Sequence, residues 1–396
     1  MTEQVQRARP WSAEVIGALL VRTSARIGLA WIAVLVAAAV FAPWIANSHP
    51  LYLVVDGEVS FPAMRHLTAA DYTWFAAFIL AIFAWRLRGP VFLRFVGWFL
   101  SVAIAGLIAW VCVAPPTLVI HEQYRELEAS GRIDFVLRAP IPYSAKDYLR
   151  DYGDTGIEAP LAASDGRVHW FGTEDNGADV ASRMIHAARI ALGIGFIATG
   201  IALIIGTLIG GLMGYFSGVV DMIGMRLVEI FEAIPTLFLL LTFVAFFGRS
   251  IYMMMIIIGI TSWSGYARYV RAEFLRLRDQ DFVQGAIASG LPLSSILFRH
   301  MLPNGVAPLL VAASFGVASA ILAETTLSFL GLGLVDDPSW GQLLNQAVQS
   351  STFNWWLAVF PGGAIFLTVF AYNLIGEALR DAVDPHTQRA AGGAAR

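Results

Sequence analysis

Lysine and cysteine are almost missing from this 396-residue chain: Lys146 is its single lysine and Cys112 its single cysteine. One cysteine excludes an internal disulfide framework and any cysteine-rich zinc site. One lysine, preceded by Ala145, excludes a Walker A phosphate loop, whose Gly-Lys-Ser/Thr element needs lysine to reach the β- and γ-phosphates. Any ATP this protein uses is therefore expected on another chain. Charge of both signs is scarce too, at 14% of residues, where a soluble domain carries about 25%. Hydrophobic residues make up 57% and the mean hydropathy is +0.66. Such a chain cannot clothe a water-facing surface, so lipid is the solvent for most of it. A net charge of −3 gives no basic field for nucleic acid.

A hydrocarbon core of about 30 Å needs about 20 apolar residues as helix, and backbone groups in lipid must be satisfied within the segment. Runs free of Asp, Glu, Lys and Arg lie at 27–55, 72–85, 95–120, 190–220, 233–248, 250–267, 301–323 and 338–376, the last with its span at 355–373. These predict eight spans. Residues 27–42 resemble a signal-peptide core and Ala39-Val-Phe-Ala-Pro43 a cleavage site. The apolar run continues past that point, which favours an uncleaved first span.

Basic residues near span ends set orientation. Arg7, Arg9, Arg22 and Arg26 precede the first span; Arg86, Arg88 and Arg94 mark a turn. Arg226, then Arg268, Arg271, Arg276, Arg278 and Arg299, and finally Arg380, Arg389 and Arg396 follow. With both termini inside, all of these fall on the inner side. The expected organisation is an inner tail (1–26), a first span plus a hairpin (27–113), an acidic outer loop (114–182), a membrane core (183–385) with an inner loop at 271–303, and an inner tail (386–396). Prolines 140, 142 and 160 argue against one long helix in the outer loop.

The inner loop is the most informative stretch. It reads Asp281-Phe-Val-Gln284-Gly285-Ala286-Ile-Ala288-Ser289-Gly290, then Leu-Pro292-Leu-Ser-Ser-Ile296-Leu297-Phe298-Arg-His300-Met-Leu302-Pro303. The pattern predicts helix, break, helix. Gly290 suits the left-handed position that ends a helix, and Pro292 suits a first helical turn. Ile296, Leu297 and Phe298 make the second helix apolar, and Pro303 is expected to interrupt the chain before the next span. Pattern alone leaves two readings open: an amphipathic hairpin on the membrane surface, or a docking element inserted into a partner.

Gln284-Gly285-Ala286-x-x-x-Gly290, nine residues, then His300-x-Leu302-Pro303 resembles the EAA loop of the membrane subunits of binding-protein-dependent ABC importers. The departures are Gln284 for Glu, Gly285 for Ala and His300 for Ile. His169-Trp-Phe-Gly172-Thr173-Glu174-Asp175-Asn-Gly177-Ala178-Asp179-Val180 is similar to a stretch of dipeptide and oligopeptide permeases, with Ala178 replacing an Arg and Glu174 an Asp. The stretches 324–333, 339–344 and 373–385 resemble the same subfamily. The resemblance runs from His169 to Pro385 and is to the C-type permease.

The resemblance implies an all-α polytopic membrane protein with the type I ABC importer transmembrane fold, a six-helix core to which residues 72–114 add a hairpin. It implies a transport subunit and not an enzyme. Its partners would be a related permease subunit, two ATPase subunits that carry ATP and Mg, and an extracytoplasmic solute-binding protein. The location would be the bacterial cytoplasmic membrane with both termini cytoplasmic, and the cargo short peptides, although relatives of this type also carry nickel complexes or opines. Carried onto this chain, ATPase coupling falls to Asp281, Gln284, Gly285, Ala286, Gly290, Pro292, Leu302 and Pro303.

Other residues carry weaker signals. Arg226, Glu229 and Glu232 share a helix face ahead of Pro235. Charges in a span are costly and often functional, so Glu229 and Glu232 are candidates for the pathway or its gate; the alternative is an Arg226–Glu229 pair. Glu324 either faces the passage or caps a helix. Gly206, Gly210, Gly214 and Gly218, spaced by four, predict close helix packing. The seven histidines show no metal-ligand spacing, and no nucleophile–base motif is present, which counts against a membrane enzyme. A self-powered secondary transporter would need internal repeats, and none is visible.

Overall fold

The computed structural model describes residues 11–87, 91–116, 119–149, 153, 156–164, 167–334, 337–350 and 352–383. Arg7, Arg9, Arg88, Asp151, Asp154, Pro385, His386, Arg389 and Arg396 lie outside the described residues. The chain divides into two compact units.

The first unit comprises Met1–Ile32, Ala191–Leu334 and Ile365–Arg396. It takes in α1 (Trp11–Val21) and parts of three long helices, α2 (Thr23–Ile45), α7 (Val180–Phe216) and α16 (Trp355–Val383). Between the last two run α8 (Gly218–Ala233), α9 (Thr236–Phe247), α10 (Ile251–Thr261), α11 (Trp263–Arg278), α12 (Asp281–Ala288), α13 (Leu293–Ser295), a π-turn (Ile296–Met301) and α14 (Leu302–Phe329). The glycine row does what its spacing predicts. A Cβ at Gly206, Gly210 or Gly214 would clash with Tyr266, the Ala267 carbonyl or Phe274, all on α11. The α7 backbone therefore packs directly against α11 with no α7 side chain between them. Gly218 departs from the row: nothing lies within 4 Å of its Cβ position, and its φ of +55° serves the turn into α8.

The second unit comprises Ala33–Ile190 and Val335–Ala364. Strands β1 (Tyr52–Val55), β2 (Glu58–Ser60) and β3 (Ile133–Leu137) form an antiparallel sheet in the order β2-β1-β3, with Leu53 opposite Ser60 and Val136. β4 (Ala163–Ser164) pairs with β5 (Arg167–Val168). Helices α3 (Pro62–Arg65), α4 (Ala69–Arg86), α5 (Val91–Cys112), α6 (Gln123–Ala129) and α15 (Trp340–Gln349) complete it. α4 and α5 form a hairpin. Trp98 Nε1 donates to the Ala77 carbonyl at 2.9 Å, and Gly106 lies against Thr73, which makes the pair antiparallel. Thr68 and Asp71 form a capping box at the start of α4.

The hairpin is fastened by one buried cation. Pro43 sits inside α2 and has no N–H, so the Ala39 carbonyl four residues earlier lacks its helical donor. Arg189 of α7 supplies it: Nε donates to Ala39 O, Nη2 to Val40 O at 3.4 Å, and Nη1 pairs with Asp71. Both charged side chains are nearly buried, at 12% and 8% exposure.

Two expectations need correcting. Five helices are long and apolar enough to span a membrane, Thr23–Ile45, Arg94–Cys112, Val180–Phe216, Leu293–Phe329 and Trp355–Val383; a sixth span exists if Gly218–Ala233 and Thr236–Phe247, bent by 82°, count as one. Among the described residues the eight-span expectation is therefore too high by this measure. Pro235 breaks the run at 233–248, Ser262 ends α10 after 11 residues, and Asp71 and Arg86 at its ends dilute the apolar stretch of α4. The run at 27–55 is not one span either. α2 stops at Ile45, and after the Ser48-His49-Pro50 break Tyr52–Val55 becomes β1.

Candidate functional site

The loop expected at 271–303 starts later, because residues 271–278 are the last turns of α11. Gln280 precedes α12, and Asp281 stands in its first turn, where the helix dipole favours an acid. Gln284 Nε2 donates to the carbonyl of Arg278, the last residue of α11, at 2.9 Å. An uncharged side chain thus holds α12 against the end of α11. Val283 and Ala286 are buried with Val270, Phe274 and Leu277 of α11, Ile296, Leu297 and Met301 of the π-turn, and Leu309 of α14. Flanking that buried side, Phe282 and Ile287 remain exposed, as does Leu291 beyond the helix end, at 38–42%.

Gly290 ends α12 as expected. Its φ is +69°. Its N–H bonds the Ile287 carbonyl at 2.9 Å, and the Leu291 N–H reaches the Ala286 carbonyl at 3.3 Å. These two bonds define a Schellman turn. Gly285 meets nothing within 4 Å of a Cβ, and Ser289 Oγ donates to its carbonyl at 2.8 Å. Pro292 precedes the short α13.

Pro303 does not interrupt the chain. It lies in the first turn of α14, beside Leu302. Its missing N–H denies the Arg299 carbonyl an α-helical donor, and the chain adopts the wider π winding over Ile296–Met301. His300 stabilises that turn: its Nδ1 lies 3.0 Å from the Ser295 carbonyl. This role for His300 was not legible in sequence, although its departure from the family pattern marked the position.

The acidic candidates go to three different settings. Glu229 is half-exposed and pairs with Arg226 at 2.5 Å, the local pair foreseen as the alternative. Glu232 pairs with Arg268 of α11, a partner the sequence spacing does not reveal. Glu324 is buried at 2% exposure and accepts a hydrogen bond from Ser328 Oγ at 2.6 Å.

The motif at 169–180 builds a buried polar network. His169 Nδ1 lies 2.8 Å from Asp179, whose other oxygen accepts from the Ser182 N–H at 2.7 Å. Arg183 Nη1 donates to Glu174 at 3.1 Å and Nη2 to Gln342 at 3.0 Å. Trp356 Nε1 donates to the Thr173 carbonyl at 3.0 Å, and Arg167 pairs with Glu158 at 2.8 Å. Burial pushes the Glu174 carboxyl above its ordinary range, against the opposite pull of Arg183. These are positioning contacts within the second unit. Among the described residues no group of three side chains is arranged to hold a metal ion.

Residues 206–389 match the family described as binding-protein-dependent transport system inner membrane component. The dipeptide transport system permease protein of Alkalihalophilus pseudofirmus is 40% identical over 218 residues, 55% of this chain and 72% of that protein. The oligopeptide transport system permease protein of Escherichia coli K12 is 42% identical over 236 residues, 59% of this chain and 78% of that protein. Among solved structures, the inward-facing MetNI methionine ABC transporter matches with 17% identity and a TM-score of 0.41, over 50% of this chain and 96% of that chain. The chain belongs to the family of binding-protein-dependent transport system inner membrane components and is a permease subunit of an ABC importer.

Proposed function

We propose that this permease imports short peptides, forming half of a translocation pathway with a related permease subunit. An extracytoplasmic binding protein delivers the peptide, and two ATPase subunits, which hold ATP and Mg, dock on the inner side. Relatives named as dipeptide and oligopeptide permeases support the solute class. One observation carries the coupling role. α12 is packed through Val283 and Ala286 and bounded by a Schellman turn, while Phe282 and Ile287 on its flanks and Leu291 just past its end stay exposed. Exposed apolar residues on a short, rigidly terminated helix suit insertion into a cleft of a partner. Asp281, Gln284, Gly285, Ala286, Gly290, Pro292, Leu302 and Pro303 shape that element. Glu229, Glu232 and Glu324 are candidates for the pathway or its gate.

The deciding experiment is ATP hydrolysis by the assembled complex in nanodiscs with its binding protein. Short peptides are expected to stimulate hydrolysis, and the isolated chain is expected to show none. Stimulation by nickel chelates or opines but not by peptides would overturn the solute class. Hydrolysis by the isolated chain would overturn the division of labour.

Both termini lie inside in this reading, with the segment between α5 and α7 outside. With Cys112 replaced by serine, a membrane-impermeant thiol reagent is expected to label cysteine at the exposed position 130 and not at the exposed position 294 in sealed cells. Labelling at 294 would reverse the orientation.

A further inference from the structure

Three histidines far apart in sequence meet in the second unit. The His49 and His66 rings stack at 3.8 Å with 20° between their planes, and His121 stacks on His49 at 5.5 Å and 22°. Tyr124 of α6 closes the group, edge-on to His49 at 5.5 Å. His49 is 3% exposed, and neither of its ring nitrogens has a hydrogen-bond partner; the Nδ1 atoms of His66 and His121 are likewise buried and unpartnered.

Their places in the chain matter. His49 follows α2, His66 lies just before α4, and His121 lies between α5 and α6. The stack therefore ties together the segments that lead into and out of the added hairpin. We infer that His49, His66 and His121 form a proton-sensitive clasp at the neck of the α4–α5 hairpin, closed while the rings are neutral and released when they take up protons.

Three like charges cannot share this space. The charged groups facing the stack are Asp147, Arg125 and Glu122. Asp147 is not free to neutralise an imidazolium. Arg125 holds both of its oxygens, at 2.7 and 3.3 Å, and Ser48 Oγ donates to it as well. Burial pushes Asp147 up, but Arg125 and Ser48 prevail and hold its carboxyl below the usual range. Burial, then the neighbouring rings, push His49 down to about 3, and burial lowers His66 and His121. A released histidine returns to about 6.5. Groups whose closed-state value is depressed stabilise the closed state fully above that pH, and lose the contribution progressively as pH falls below it. Each proton taken up on release multiplies the opening equilibrium by at most about tenfold per pH unit, so three give at most about a thousandfold.

The inference needs no assignment of the solute; only the source of the protons, from outside, rests on the proposed orientation. The test is hydrogen–deuterium exchange of the full chain in detergent with chelator present, from pH 7.5 to 5, corrected for intrinsic exchange. Both sides then see one pH, so failure here leaves the orientation standing. Protection of peptides covering 47–67 and 119–125 is expected to fall below pH 6.5 with a slope of two to three protons, while α11 and α12 do not change. His66→Gln, at a half-buried position, lowers the slope by about one proton, and His66→Gln with His121→Gln by about two. If the double variant has already lost protection at pH 7.5, the single variant carries the test. Flat protection across the range, or an unchanged slope in His66→Gln, overturns the clasp.

Discussion

Valine in place of Gly290 is expected to cut solute uptake by roughly ten- to a hundredfold while the chain still reaches the membrane. Gly290 has φ +69°, a region a β-branched residue enters only with strain of order 1–3 kcal/mol. Every 1.4 kcal/mol shifts the balance between loop conformers about tenfold. Nothing lies within 4 Å of the Cβ position, so the penalty comes from the backbone and not from a clash. Escape from the strain breaks the bonds to the Ile287 and Ala286 carbonyls and re-aims α12 against α13. The ATPase would then lose its seat. Gly290→Asn, which tolerates the left-handed region, is expected to stay near wild type. Gln284→Ala removes one exposed hydrogen bond to Arg278 and should be mild. Uptake and ATPase co-purification at matched expression measure all three. Normal uptake by the Gly290→Val protein would remove α12 from the coupling role.

Arg189→Leu is expected to destabilise the second unit by about 3–5 kcal/mol, the usual cost of leaving a buried charge without its partner. The substitution strands the Asp71 carboxylate and the Ala39 carbonyl that Pro43 cannot serve. Melting of the detergent-solubilised protein should move down by on the order of 10 °C. Adding Asp71→Leu should recover part of the loss, because removing both members of a buried pair costs less than removing one. Recovery stays incomplete because the Ala39 carbonyl remains unserved and Thr68 loses its capping partner. A melting temperature unchanged by Arg189→Leu would mean that the hairpin is held by other contacts.

Local chemistry was readable and long-range pairing was not. Gly290 announced its turn because only a left-handed position explains glycine between two helical patterns. The glycines at 206, 210 and 214 announced a close helix contact, though not that α11 is the partner. The break after Ile45 was hidden because Tyr52–Val55 is as apolar and uncharged as the helix before it, and a charge-free run cannot tell strand from span. The π-turn was hidden because Pro303 reads as a stop, whereas a wider winding accommodates it. Glu232–Arg268, Asp71–Arg189 and the histidine stack join residues whose separation follows no helical or strand period. Only the fold brings them together.

The bare contact between α7 and α11 has a mechanical consequence. Elsewhere in a protein, side chains form a compliant layer that absorbs small displacements by changing rotamer. At positions 206, 210 and 214 that cushion is gone, and the α7 backbone rests directly on α11. α11 continues into α12 across only two residues. A force applied to α12 would reach α7 with little slack, as through a rod and not a spring. Stiffness at this joint is thus written in the absence of side chains.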